Sequence, residues 1–256
     1  MTALITGASA GIGREFCDVL AQHGHDLVLV ARNSEKLHEV KLEVENRYPN
    51  IKCEVLVADL SVSADVARVA DRLSQAQKPV DVLVNNAGLG LNQRFVTGDV
   101  EQESYLLDVL VSAVMRLTYA AASAMKQRGK GDIVVVSSVA SFIAGGTYSA
   151  AKSWNTVFVE SLAQELRNSG VKVSALCPGF THTEFHQRAG MNKGEIPSWM
   201  WMSVHDVVRI GWRDHKRGKV ISVPGIRYKF LVALIRIMPR PVVRRVGFVS
   251  RNRSRH

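Results

Sequence analysis

Thr2-Ala3-Leu4-Ile5-Thr6-Gly7-Ala8-Ser9-Ala10-Gly11-Ile12-Gly13 opens the chain: a short β-rich run breaks into glycines and then into a helical pattern from Ile12 to Gln22. Gly7, Gly11 and Gly13 let the backbone turn tightly and approach a ligand closely. The free N–H groups and positive dipole end of the following helix suit an anion such as a pyrophosphate. A glycine-rich turn between a strand and a helix is the expected cradle for a dinucleotide.

Working outward, helical patterns run over Ser34–Arg47, Ser63–Gln75, Val100–Lys126, Ala150–Arg167 and Ser203–Lys216. Apolar runs lie between them at Asp26–Val30, Cys53–Val57, Val80–Val84, Ile133–Val136, Val171–Leu176 and Val220–Val223. These runs are apolar on both faces, which suits a parallel sheet covered by helices on both sides. Seven strands separated by helices predict a single-domain, doubly wound α/β sheet of Rossmann type over residues 1–225, followed by a basic extension, 226–256. Right-handed crossovers put every strand's carboxyl end on one edge, where ligands bind in such sheets.

The unusual polar and glycine residues all follow strands. Ala31-Arg32-Asn33 follows the second, Asp59-Leu60 the third, Asn85-Asn86-Ala87-Gly88 the fourth, Ser137-Ser138 the fifth and Pro178-Gly179 the sixth. At the end of strand two a carboxylate would accept from a free ribose 2′-hydroxyl. Ala31 followed by Arg32 suits a 2′-phosphate instead and favours NADP(H) over NAD.

Tyr148 and Lys152 stand one helical turn apart, ten residues after Ser138. A phenol titrates near pH 10 in water, so proton transfer near neutrality requires its anion to be stabilised. An ammonium four residues on is placed to do that, at about 1.4 kcal/mol per pKa unit.

Thr-Gly-x-x-x-Gly-x-Gly, Asn-Asn-Ala-Gly, Ser138 with Tyr148-x-x-x-Lys152, and Pro178-Gly179 leading to Thr183 together resemble the short-chain dehydrogenase/reductase family, from Thr2 to about Gly225. The resemblance implies that Ser138 and Tyr148 hydrogen-bond a substrate oxygen, with Tyr148 delivering the proton. It implies that Lys152 bonds the nicotinamide ribose while lowering the phenol's pKa, and that Thr183 and the Thr181 backbone hold the carboxamide. Asp59 and Leu60 would flank the adenine, and Asn86 with Ala87 and Gly88 would line the cofactor cleft. There are two departures. Leu110 stands where the family usually has an asparagine thought to hold a water, leaving its backbone carbonyl as the alternative holder. The Ser138–Tyr148 spacing is also shorter than usual, with Gly145-Gly146 expected to close the loop and Ser137 as the neighbouring alternative.

Residues 180–202 read as a substrate lid holding Phe180, Phe185, Met191, Ile196, Trp199, Met200, Trp201 and Met202. Its apolar content implies a hydrophobic ketone or alcohol, against the alternative that these side chains only pack the lid on the core. His182 and His186 flank Glu184, but no metal site is expected, because the pattern is not His-Glu-x-x-His.

Lys and Arg number 33 against 23 Asp and Glu, a net +10, of which the nine cations of Pro224–His256, with no acid among them, supply +9. Ile226–Met238 reads as an amphipathic helix too short to span a bilayer. The basic extension suits an anionic membrane surface, an acyl carrier's phosphates or a partner subunit. Nucleic acid is not expected, since no recognised module surrounds these cations. Cys17, Cys53 and Cys177 lack Cys-x-x-Cys spacing and read as buried, inert thiols of a reduced, cytoplasmic protein, with a peripheral place at the inner membrane face as the alternative. The long helices around Leu110 and Trp154 resemble those that pair subunits in the family, implying a homodimer or homotetramer.

The function expected is NADPH-dependent reduction of a lipophilic ketone, such as a 3-oxoacyl group. The alternatives are an alcohol or steroid dehydrogenase running oxidatively with the same residues, and a non-catalytic NADP-binding protein tethered through its tail.

Overall fold

The computed structural model describes residues 1–185 and 197–244. Seven parallel strands, β1 (Thr2–Thr6), β2 (Asp26–Ala31), β3 (Cys53–Val57), β4 (Val82–Asn85), β5 (Gly131–Val136), β6 (Val171–Leu176) and β7 (Ile221–Ser222), form one sheet in the order β3-β2-β1-β4-β5-β6-β7. The chain winds outward from β1 in one direction and from β4 in the other. The crevice between them is the switch point where such sheets bind ligands.

Alternation along the strands builds two cores. Leu4, Val28 and Val30 face one side, with α3 (Ser63–Ser74), α5 (Ala113–Arg128) and α6 (Gly146–Glu165) against them. Ala3, Ile5, Leu27 and Leu29 face the other, beneath α1 (Gly11–Gln22), α2 (Ser34–Arg47) and α7 (Val204–Lys216). Each leucine sealed from water in these layers, such as Leu4 or Leu83, contributes about 1.5–3 kcal/mol. Both faces being covered explains why the strands read as unbroken apolar runs.

Several boundaries differ from expectation. β4 starts at Val82 rather than Val80, β5 reaches back to Gly131, and β7 shrinks to two residues. The single helix expected over Val100–Lys126 is two, α4 (Val100–Leu107) and α5, joined by a π-helical turn over Asp108–Ser112. Its sequence pattern is continuous, so only packing reveals the extra residue in the turn. The run Val100–Arg128 is long and apolar enough to cross a membrane by length and composition alone, yet just over half of its most apolar stretch is buried within the protein. α6 begins at Gly146, four residues earlier than expected, and so carries Tyr148 in its first turn. A further helix, α8 (Ile226–Ile237), is seated on the body, with Tyr228 and Val232 in the same core as β1.

Candidate active site

At the carboxyl edge of the sheet lies one cavity of about 590 Å³. Gly7, Ser9, Gly11, Ile12, Arg32, Asn33, Asp59, Leu60, Asn86, Ala87, Gly88, Ser138, Tyr148, Lys152, Pro178, Gly179, Thr181 and Thr183 all line it. Gly13 lies beneath the lining, where it serves close packing. A Cβ there would come 2.2 Å from the Gly7 carbonyl oxygen and 2.4 Å from Asn86 Nδ2. Asn86 is turned towards the turn's backbone: Nδ2 donates to the carbonyls of Thr6 at 2.9 Å and Gly7 at 3.3 Å. Thr6 Oγ1 in turn accepts from the Asn86 and Ala87 N–H groups at 2.9 and 3.0 Å. This clamp fixes the β1 turn against the β4 loop. Among the described residues no side chain caps α1, whose N-cap is Ala10, so the helix's positive end is presented to the cavity. An anionic pyrophosphate fits that cradle.

Arg32 projects from the end of β2 with its side chain 66% exposed. Its guanidinium donates to the Tyr105 hydroxyl and stands 3.8 Å from Asp59 Oδ2. Asn33 caps α2, accepting from the Lys36 N–H at 2.8 Å. Lys36 lines the same cavity and was not anticipated. Nor were Gln102 and Tyr105, which α4 swings over the cavity from more than forty residues beyond β3. Lys36 lies three residues after Asn33, so its spacing was a usable signal. The α4 pair had none.

The Ser-Tyr-Lys group is built on β5 and α6. Ser138 caps a 3-10 turn, Val139–Phe142, its Oγ accepting from the Ala140 N–H at 3.1 Å. The short loop closes as expected at Gly146, whose φ of +79° a residue with a Cβ adopts only with strain. Ser137 is committed elsewhere: its hydroxyl donates to the Lys152 carbonyl at 2.8 Å and meets Thr156 Oγ1 at 2.9 Å. That leaves Ser138 as the serine beside Tyr148.

Burial pushes the Tyr148 phenol up to about 12, with the Ser138 hydroxyl pulling it down by a smaller amount. Burial also pushes the Lys152 ammonium down to about 8. Lys152 Nζ donates to the Val136 carbonyl at 2.7 Å and lies 5.8 Å from the centroid of the Tyr148 ring. The downward pull on the phenol comes from Ser138 and not, as expected, from Lys152, and desolvation prevails over it. Leu110 is fully buried in the π turn, packed with Leu106, Ala151 and the Tyr148 ring.

On the substrate side, Phe185 packs against Tyr148 with ring centroids 5.9 Å apart. Phe180, Met200 and Met202 pack on the core, and Met202 pairs with Thr181 in a single β-bridge. Phe180, Met200 and Met202 thus fit the packing alternative, while Phe185 lines the cavity. The His182 ring stacks on Trp201 at 4.9 Å. His186, Met191 and Ile196 lie outside the described residues. All three thiols are buried and raised in pKa by desolvation, Cys53 and Cys177 to about 11.

A family model for short chain dehydrogenases matches residues 1–194. The chain belongs to the short-chain dehydrogenase family. Among oxidoreductases of this family, UcpA from Salmonella typhimurium is 33% identical over 186 residues, 71% of this chain and 70% of that one. A short-chain dehydrogenase from Sphingobium yanoikuyae, solved in complex with NADPH, superposes with a TM-score of 0.84 at 32% identity, covering 93% of this chain and 96% of that one. The bulky-bulky ketone specific alcohol dehydrogenase of Comamonas testosteroni superposes with a TM-score of 0.79 at 29% identity, covering 93% and 95%. The seven-stranded sheet of this short-chain dehydrogenase matches theirs along nearly its whole length.

Proposed function

We propose that this oxidoreductase reduces the carbonyl of a lipophilic ketone, a 3-oxoacyl group or a similarly bulky one, with NADPH as reductant and Tyr148 as proton donor. The observation that carries the reading is that Ser138, Tyr148 and Lys152 share one cavity with the uncapped start of α1 and the cations Arg32 and Lys36. Those two cations, with no carboxylate at position 31, favour a 2′-phosphate. The NADPH complex of the Sphingobium relative and the bulky ketone specificity of the Comamonas relative support the same choice.

When bound, NADPH supplies the hydride. Ser138 holds the substrate oxygen and Tyr148 gives it a proton as negative charge develops. A phenol at about 12 is protonated at neutral pH, so the acid form is the one present, and giving up its proton requires the anion to be stabilised as it forms. Lys152, at about 8, keeps its charge at pH 7 and steadies the phenolate that results. Phe185 and the apolar residues around Leu110 keep water from the reacting oxygen.

The proposal extends to a cytoplasmic homodimer or homotetramer paired through α5 and α6. Its support is the outward apolar surface there, Met115, Tyr119 and Val157, beside the stacked Trp154 and Phe158.

The test is NADPH consumption over oxoacyl thioesters, steroids and quinones. Tyr148→Phe is expected to lose at least about a hundredfold in kcat with NADPH affinity retained. Unchanged turnover in that variant removes Tyr148 from the mechanism. NADPH binding with no oxidation over the panel leaves a nucleotide-binding protein instead.

A further inference from the structure

α8 has two apolar faces, and among the described residues only one is covered. Tyr228 and Val232, each 4% exposed, seat the helix in the core, and the Tyr228 hydroxyl donates to the Met200 carbonyl at 2.6 Å and accepts from the Phe180 N–H at 3.0 Å. On the opposite side Ile226, Phe230 and Ile237 are 78%, 73% and 81% exposed. At 3.6 residues per turn these three fall within about 40° of one another, roughly opposite the seated pair. Cations flank this stripe on both edges, Lys229 and Arg236 on one and Arg227 on the other. Two of them are held back against rings: Arg227 lies 5.8 Å from the centroid of the exposed Trp199, and Arg236 lies 5.0 Å from that of Phe142. The stripe's centre is therefore uncharged, with its charges at the rim.

We propose that this outer face of α8 docks on the surface of an anionic phospholipid bilayer. An apolar centre between cationic flanks matches acyl chains below and phosphate headgroups alongside, and an exposed tryptophan belongs at that boundary. Pro224–His256 carries nine cations and no acid, complementary to a negative surface. A second copy of the chain is a poor occupant, because it would bring the same cations with no carboxylate from this segment to meet them. An acidic protein would satisfy the flanks and leave the stripe unmatched. A helix of twelve residues is too short to cross the bilayer, so the contact is peripheral. Tyr228 ties the seated face of α8 to Phe180 and Met200, and Arg227 at the stripe's edge donates to the Trp199 carbonyl, so the substrate segment reaches the rim of the docked face. If the proposed lipophilic substrate is right, it enters from the lipid side, but the docking itself does not rest on that reading.

Flotation of the full chain with vesicles of phosphatidylcholine, with and without about 30% phosphatidylglycerol, tests this. The chain is expected to float with the anionic vesicles alone, and raising NaCl to about 0.5 M should weaken it. The exposed pair Phe230→Glu/Ile237→Glu should lose at least about tenfold in partition with its circular dichroism and Tm close to those of the parent. Lys229→Gln/Arg236→Gln should lose the preference for anionic lipid. Absence of flotation with anionic vesicles overturns the proposal, as does flotation unaltered in the Glu pair. If the Glu pair dissociates an oligomer, or an acidic acyl carrier protein binds while vesicles do not, the face belongs to a protein partner and the proposal also fails.

Discussion

Lys152 carries two opposed demands. As a nearly buried ammonium it costs the fold stability, since desolvation lowers its pKa from 10.5 to about 8. As a charge beside Tyr148 it serves the chemistry proposed here. Where a folded-state pKa lies below the unfolded one in a base, the unfolded chain binds more protons between the two values, and stability rises with pH across that window. Lys152→Met should accordingly be more stable than the parent at pH 7, by about 1–2 kcal/mol after the lost hydrogen bond to Val136 is set against it. The gain should shrink as pH rises from about 8 towards 10.5. Urea denaturation at a series of pH values reads this directly, and a variant less stable at pH 7 refutes it. The pairing of Tyr148 with Lys152 was legible in the sequence because four residues make one helical turn. The balance of their pKa values was not, because desolvation depends on walls contributed by residues far away in the chain.

At the scale of elements, the β1 turn, α1 and the β4 loop behave as one piece, because Asn86 and Thr6 lock them and Gly13 permits the close approach. Gly13→Ala forces a methyl into the Gly7 carbonyl and the Asn86 amide. It should cost about 2–3 kcal/mol in denaturant unfolding and weaken NADPH binding at least about tenfold. A variant of native stability and affinity would show that the turn has slack the close contacts deny. The strand–turn–helix order could be read from residues 2–13 alone, since each step is local. The break of the Val100–Lys126 run into α4 and α5 could not, because a π turn leaves the apolar pattern intact and is selected by Leu110 packing on Leu106, Ala151 and Tyr148.

Across the whole molecule, the edge of the sheet remote from the cavity is held by a buried polar chain. Ser174 Oγ on β6 meets His215 Nδ1 on α7 at 2.6 Å, and His215 Nε2 meets Asp132 Oδ1 on β5 at 2.9 Å, with Lys216 Nζ on Oδ2 at 2.8 Å. Burial raises the Asp132 carboxyl, but the hydrogen bonds and charges of His215 and Lys216 prevail and hold it at about 2. A depressed carboxyl stabilises the fold fully above its unfolded pKa, here 3.8, and that contribution fades as pH falls through the folded value. Asp132→Asn should thus cost about 2 kcal/mol at pH 7 and nothing relative to the parent below about pH 2. Turnover should change less than about twofold, since the substitution lies at the opposite edge from the cavity. A loss of stability that persisted unchanged into acid would exclude the ion pair as its source.

The sequence by itself determined the parallel doubly wound sheet, the glycine turn at its start and the set of residues that follow each strand. These are properties of neighbours along the chain, and chain direction in a parallel sheet carries every strand's end to the same edge. Only the tertiary structure decided that Lys36, Gln102 and Tyr105 reach the cavity, that Asn86 turns in to clamp the glycine turn, and that α8 lays one apolar face on the core and leaves the other bare. Such contacts join segments tens to hundreds of residues apart, and periodicity, which reports which face a residue occupies, says nothing of what that face will meet.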